Sequence, residues 1–135
     1  MRNHLAGVVF LCLFFAMPAL AQNKLRPISN TKETIQYGVA SYYANKFQGR
    51  QTANGDIFDQ QKLTCAHNSL PFNTWIRVTN LRNGKTIVVR VTDRLHHKNK
   101  RLVDLSLRAA SRLGYTKRGL TRVKVEVLDK KPPEA

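Results

Sequence analysis

Apolar and polar residues alternate with a period of two along several stretches of this chain, and this spacing predicts β-strands. The clearest stretch runs from 85 to 94, where Ile87, Val89 and Val91 share one face. The same alternation is found at 39–43, 75–80 and 121–128. Because branched and aromatic residues dominate these stretches, the pattern favours a mainly β domain.

A single stretch has helical spacing instead. Leu107, Ala110 and Leu113 fall on one face of a helix, Ser106 precedes them as a suitable N-cap, and Gly114 is a suitable terminating residue. The sequence therefore predicts one short helix just before the last strand.

Turn-forming residues separate the predicted elements. An Asn-Gly pair at 83–84 predicts a hairpin between two of the strands. A second Asn-Gly pair, at 54–55, lies within the long polar segment 45–59. A polar segment of this length is either a functional loop or a mobile insertion, and we predict that Phe58 attaches it to the core.

The two ends of the chain differ in composition from its middle. Arg2, an apolar run at 5–15 and small residues up to Ala21 predict a signal peptide at 1–21. The apolar run is too short to remain as a membrane-spanning helix, so no integral membrane segment is expected after cleavage. The remainder is divided into a flexible leader at 22–35, a folded domain at 36–129 and a disordered tail at 130–135.

The chain is strongly basic, with 23 Lys and Arg against 8 Asp and Glu and a net charge of +15. Such a charge attracts polyanions, and nucleic acid is the usual partner of a basic chain. Predicted export argues against nucleic acid and leaves cell-wall carboxylates, anionic glycopolymers and lipid head groups. We predict a soluble periplasmic or extracellular protein without a lipid anchor, in which Cys65 is a small buried hydrophobe.

Candidate chemistry is concentrated in a few polar residues. Asp93 ends the clearest strand, where a side chain can face a groove, although pairing with Arg94 would also explain it. Asp56 follows an Asn-Gly turn and is either functional or a turn cap. A lone histidine such as His67 is more often structural than catalytic. Asp104 is ranked below Asp93 as a catalytic candidate, because it precedes the helix and can interact with the helix dipole. No His or Cys spacing suits a metal, so none is expected.

Five segments of the chain, in this order, resemble the RlpA-like septal ring lytic transglycosylases. They are GVASYYANKFQGRQTANGDIFD, LTCAHNSLP, WIRVTNLRNGKTIVVRVTDR, RLVDLSLRAASRLG and TRVKVEVL. The resemblance extends from about Gly38 to Leu128. The combination is specific, whereas any one segment alone would be weak support.

The resemblance implies a fold and a reaction. The fold is a small six-stranded double-psi β-barrel with one or two short helices, related to expansins and barwin-like proteins. The reaction cleaves the MurNAc–GlcNAc bond of peptidoglycan glycan strands without water, leaves 1,6-anhydro-MurNAc ends and prefers strands without stem peptides. On this basis the partner is the glycan strand, no cofactor is needed, and the protein is expected to be a monomer.

The resemblance also implies site residues. Its catalytic trio falls on Asp56, His67 and Asp93. We expect Asp93 to act first as acid and then as base, His67 to orient it or share its proton, and Asp56 to stabilise positive charge or position the sugar.

Three further residues, Tyr43, Asn54 and Arg94, are predicted to bind substrate. Many members of the family have Glu where this chain has Asp56. The alternative interpretation is therefore a non-catalytic, expansin-like module that binds or loosens the wall.

Overall fold

The computed structural model describes residues 34–133, so the predicted signal peptide and nearly all of the predicted leader lie outside it. Six strands and one α-helix make up the fold. They are β1 (Ile35–Tyr42), β2 (Thr64–His67), β3 (Trp75–Asn80), β4 (Thr86–Asp93), β5 (Val103–Leu105), α1 (Leu107–Leu113) and β6 (Thr121–Leu128). A single 3₁₀ turn occupies Asn45–Phe47. Within 34–133, no helix is long and apolar enough to cross a bilayer.

The six strands close into a barrel in the order β1-β5-β2-β4-β3-β6. Two neighbouring pairs, β1 with β5 and β2 with β4, are parallel, and the other four pairs are antiparallel. Parallel neighbours cannot be joined by a tight hairpin, so the barrel needs long connections between them. The predicted mainly β, six-stranded barrel is confirmed.

Inward-facing side chains of the strands and the helix fill the barrel. Val89 and Val91 on β4 are fully buried, as the alternation predicted, and Leu113 contributes from α1. Cys65 is also fully buried, which confirms its prediction as a small hydrophobe, and burial raises the pKa of its thiol. The ladder bonds and this packing fix the ends of the strands, where the polar residues of interest lie.

The predicted hairpin and helix are both confirmed. The β3–β4 turn is closed by a hydrogen bond from the Asn80 amide to the Lys85 carbonyl at 2.8 Å, and Gly84 has a φ of 75°. Ser106 caps α1 by accepting a hydrogen bond from the Ala109 amide at 3.3 Å. Gly114 ends the helix in the left-handed region, where glycine carries no steric penalty.

Two strands, β2 and β5, were not predicted from periodicity. They have only four and three residues. β2 lies between β4 and β5 and is buried on both faces, so its sequence does not alternate between polar and apolar residues. The first strand also begins at Ile35, four residues before its predicted start at 39. Its outward face carries apolar residues, which hides the alternation. Gly38 is required there, because a Cβ would lie 2.7 Å from the Leu102 Cβ.

Candidate active site

Asp93 is the last residue of β4, and its carboxylate is held by three hydrogen-bond donors. Oδ1 accepts from the amides of Ala53 at 3.0 Å and Arg94 at 2.9 Å, and Oδ2 accepts from the Tyr43 hydroxyl at 2.6 Å. A carboxylate offers about four lone-pair positions, so about one remains for a ligand. The alternative of an Asp93–Arg94 ion pair is not seen: the Arg94 amide, not its guanidinium, contacts this carboxylate.

Tyr43 follows β1 and fixes one oxygen of Asp93. Its ring stacks on Phe58 with a centroid distance of 4.2 Å, and it packs edge-to-face with Phe47 at a centroid distance of 5.8 Å. Burial raises the pKa of the Tyr43 phenol, and the hydrogen bond to Asp93 raises it further. The phenol therefore stays protonated and remains a donor. Phe58 is 3% exposed, as expected of the residue that attaches the polar segment to the core.

Asp93 lines an open groove of about 600 Å³ at this end of the barrel. Its walls are formed by residues from the end of β1, the 3₁₀ turn that follows, β2, β4, β5 and the loop between β4 and β5. They are Tyr42, Tyr43, Ala44, Lys46, Phe47, Ala66, Asp93, Arg94, Leu95, His96, Asn99, Arg101 and Asp104. Grooves of this size hold small ligands or short stretches of polymer.

A second carboxylate, that of Asp104, lines the same groove. In the barrel, Ala66 on β2 pairs with Asp93 on one side and with Asp104 on the other, so the two aspartates flank one central residue. Asp104 binds Arg101 through Nε at 2.9 Å and Nη2 at 3.1 Å. The Asp104 carboxylate is thus held by Arg101, while Ser106 caps the helix that follows.

Asp56 lies in the neighbouring hairpin and faces a different cavity. This smaller cavity, of about 260 Å³, is also lined by Arg90 and Thr92. The Asp56 carboxylate accepts hydrogen bonds from Asn54 Nδ2 and Arg90 Nη2, both at 3.1 Å, and these two partners lower its pKa. Asp56 and Asp93 therefore line two separate cavities.

His67 ends β2, and its ring is bonded away from the groove. Nδ1 accepts from the amides of Ser69 at 3.1 Å and Leu70 at 3.2 Å, so the proton is assigned to Nε2, which donates to Gln36 Oε1 at 2.7 Å. His67 is 2% exposed, and none of the hydrogen bonds described within 34–133 joins its ring to Asp93. Burial and the charge of Arg94 lower its pKa to about 4.

The depressed pKa of His67 predicts a loss of stability in weak acid. In the unfolded chain the imidazole titrates near its ordinary value of about 6.5, whereas in the fold it stays neutral until about pH 4. Its contribution is complete above pH 6.5 and is lost as the pH falls towards 4, by about 3 kcal/mol. Urea unfolding at pH 7 and pH 4 measures this loss, which should be smaller in His67→Gln. Equal losses in the two proteins would contradict the assignment.

Two of the residues predicted to bind substrate have structural partners. Asn54 Oδ1 accepts from the Thr52 hydroxyl at 2.6 Å and from the Asp56 amide at 3.0 Å, which shapes the hairpin. Arg94 Nη1 donates to the His67 carbonyl at 2.7 Å, and its guanidinium lies 4.0 Å from the Phe72 ring centroid. Of the two, only Arg94 lines the Asp93 groove.

Within residues 34–133, no three His, Cys, Asp or Glu side chains are grouped closely enough to hold an ion.

The amino-acid sequence of this chain is similar to a protein family and to several bacterial proteins. The family described as lytic transglycolase matches residues 35–125. An endolytic peptidoglycan transglycosylase RlpA of Pseudomonas aeruginosa is 46% identical over 103 residues, which are 76% of this chain and 30% of that protein. The protein of the same name from Neisseria meningitidis is 39% identical over 107 residues, 79% of this chain and 45% of that protein. The chain thus spans less than half the length of these relatives.

Solved structures with a similar fold are more distant in sequence. The Streptomyces papain inhibitor aligns with a TM-score of 0.58 at 21% identity, over 70% of this chain and 94% of the inhibitor. An expansin mutant of Clavibacter michiganensis in complex with cellohexaose aligns with a TM-score of 0.58 at 23% identity, over 73% of this chain and 53% of the expansin. Both similarities concern the barrel fold.

Proposed function

Because this chain belongs to the lytic transglycolase family, we propose that it is a peptidoglycan lytic transglycosylase. It would cleave the MurNAc–GlcNAc bond of glycan strands, preferably strands without stem peptides, and leave 1,6-anhydro-MurNAc ends. The relatives that match are named endolytic peptidoglycan transglycosylases, and the family match at 35–125 covers most of the barrel. The activity is proposed for the barrel domain at 36–129.

The observation that carries the proposal is the position of Asp93. Its carboxylate is fixed at a strand end by the hydroxyl of Tyr43 and two backbone amides, and it lines an open groove of about 600 Å³. A group held by rigid elements on one side and open to a ligand on the other suits proton transfer to a bound sugar.

The proposed reaction requires one carboxyl group to act twice. Asp93, in its protonated form, gives a proton to the glycosidic oxygen as the bond from that oxygen to the anomeric carbon of MurNAc breaks. The ionised Asp93 then takes the proton of the C6 hydroxyl as that oxygen bonds to the anomeric carbon. No water is consumed, and the carboxyl group returns to its starting state.

The other polar residues are assigned supporting roles. Asp104, on the opposite side of Ala66, would place negative charge near the oxocarbenium-like centre, and its pairing with Arg101 fixes its orientation. Asp56 would position the sugar from the adjacent cavity. His67 would act as a positioning residue, since its ring orders the 67–70 turn and its carbonyl holds Arg94.

The net charge and the predicted export support peptidoglycan glycan strands as the partner. Removal of the predicted signal peptide removes one positive charge, Arg2, so the exported protein would have a net charge of +14 and would be attracted to the anionic wall. Lys46 and Arg94 line the groove itself. We propose a monomer that acts in the periplasm or outside the cell on glycan strands, without a cofactor.

A second candidate function is wall binding without cleavage. It is favoured by Asp56 and Asp104, which are both paired with arginines and so are less available to a substrate. This function predicts salt-sensitive binding to sacculi with no new chain ends.

Digestion of purified glycan strands separates the two functions. The exported protein should release fragments whose new ends are anhydro-muramyl groups, lighter by one water than hydrolysis products in mass spectrometry. Binding to the same strands, measured by sedimentation, should accompany cleavage. Binding without any new end, across a range of pH and strand lengths, would favour the wall-binding function and reject the enzyme.

A further inference from the structure

An exposed patch on the outside of the barrel combines apolar and cationic residues. Val39 on β1, Leu81 in the β3–β4 turn and Leu120 before β6 are 37%, 48% and 50% exposed. Together with Arg82, Arg118, Thr121 and Arg122, they line a shallow cavity of about 390 Å³. We name the six exposed residues of this lining, which are all but Thr121, the arginine–leucine patch.

The three arginines of the patch have no acidic partner within residues 34–133. Among the ion pairs described for residues 34–133, none involves Arg82, Arg118 or Arg122. No carboxylate lines the cavity either. An unpaired guanidinium favours phosphate and carboxylate groups, because its planar donors match their oxygens in pairs. The patch is therefore complementary to a partner that is both anionic and apolar.

The patch continues along the outer face of two strands. Val39 lies opposite Arg122 and Tyr37 opposite Lys124 in the β1–β6 ladder, so each apolar side chain has a basic neighbour on the same face. Lys124 is paired with Glu126 at 3.2 Å, so the unpaired cation of this ladder is Arg122. Tyr37 is 65% exposed. A tyrosine among basic residues is typical of surfaces that meet a bilayer at the head-group level.

The size of the patch favours a lipid surface over a protein partner. A stable protein–protein interface buries about 800 Å² on each side and uses about 20 residues or more. The arginine–leucine patch has six exposed residues around a cavity of about 390 Å³, which is far fewer residues than such an interface uses. Two leucines at turns can enter the head-group region while the arginines remain with the phosphates.

We propose that the arginine–leucine patch docks the protein on an anionic phospholipid surface. Leu81 and Leu120 would insert their side chains, and the three arginines would bind lipid phosphates. This inference stands on the patch alone and does not depend on the proposed enzymatic activity.

The arginine–leucine patch and the Asp93 groove have no lining residue in common. Leu81 and Arg82 lie in the turn before the first residue of β4, and Asp93 is its last residue. A strand of this length spans about 25 Å. Docking through the patch therefore does not occupy the groove.

Vesicle sedimentation tests the proposal. Protein purified in its exported form, with its N-terminus verified by mass spectrometry, is mixed with vesicles of phosphatidylglycerol and phosphatidylcholine or of phosphatidylcholine alone. We expect binding to the anionic vesicles only. Both the double variant Leu81→Ser/Leu120→Ser and the triple variant Arg82→Gln/Arg118→Gln/Arg122→Gln should weaken it by about 10-fold or more.

A matched control removes the same charge elsewhere. Lys62→Gln/Arg108→Gln/Arg112→Gln loses three positive charges around α1 and should retain most of the binding. Equal loss in the two triple variants would show that only net charge matters and would overturn the proposal. The proposal would also be overturned if the protein did not bind the anionic vesicles, or if the Leu81→Ser/Leu120→Ser variant bound them as well as the wild type. In either case an acidic protein would be the next partner to test.

Discussion

Replacement of Asp93 by asparagine is expected to lower the rate of strand cleavage by about 10³-fold, since proton transfer by a positioned acid or base contributes factors of this order. Asparagine has the same shape and can still accept hydrogen bonds from the amides of Ala53 and Arg94. The variant loses the ability to exchange a proton, whereas the fold should be kept. Release of anhydro-muramyl ends, followed by mass spectrometry, measures the effect.

An isosteric change at Asp129 is the matched control. This exposed residue follows β6 and is absent from the lining of the Asp93 groove. Asp129→Asn removes the same charge and should cleave at nearly the wild-type rate. Activity retained in Asp93→Asn, with both variants showing wild-type unfolding midpoints, would show that the proposed role of Asp93 is wrong.

Replacement of Asn80 by alanine should produce a large loss of stability. Asn80 is 1% exposed, and its amide joins the helix to the barrel by donating to the Leu113 carbonyl at 2.8 Å. Its Oδ1 accepts from the Thr121 hydroxyl at 2.8 Å and the Arg82 amide at 3.0 Å. Because truncation leaves these buried partners unpaired, we expect a cost of about 3 kcal/mol in the free energy of unfolding.

Asn83 supplies the comparison for Asn80. Its Nδ2 donates to the same Leu113 carbonyl at 2.9 Å, but the residue is exposed, so water can replace its side chain. Asn83→Ala should therefore cost about 1 kcal/mol or less. Urea denaturation of both variants at pH 7 measures the two values. Equal costs would show that burial of the Asn80 network is not what stabilises this end of the barrel.

Much of the fold could be predicted from local sequence. The alternation of Val89 and Val91 identified β4, the Asn-Gly pair at 83–84 identified its hairpin, and Ser106 and Gly114 identified the limits of α1. These signals depend on residues close together in the chain. In contrast, β2 and β5 are short and central, and only the closed barrel explains why they are strands.

The site was predicted only in part for the same reason. The position of Asp93 at a strand end is visible in the sequence, but its bond to Tyr43 joins residues 50 positions apart. The position of the His67 ring depends on a hydrogen bond to Gln36, 31 positions away. The position of Asp104 next to Ala66 depends on the register of the barrel strands. In the sequence, Asp104 is a polar residue between the apolar residues Val103 and Leu105, which are buried in the structure. This pattern could have indicated that Asp104 faces out of the core, towards the groove.

Cleavage in water enriched in oxygen-18 tests the proposed reaction most directly. If the C6 hydroxyl of the sugar attacks the anomeric carbon, as proposed for the Asp93 groove, the new ends are 1,6-anhydro groups that contain no heavy oxygen. Mass spectrometry of the fragments should therefore show unlabelled anhydro-muramyl ends. Reducing ends that carry oxygen-18 would show that water attacks instead, and would contradict the proposed lytic mechanism.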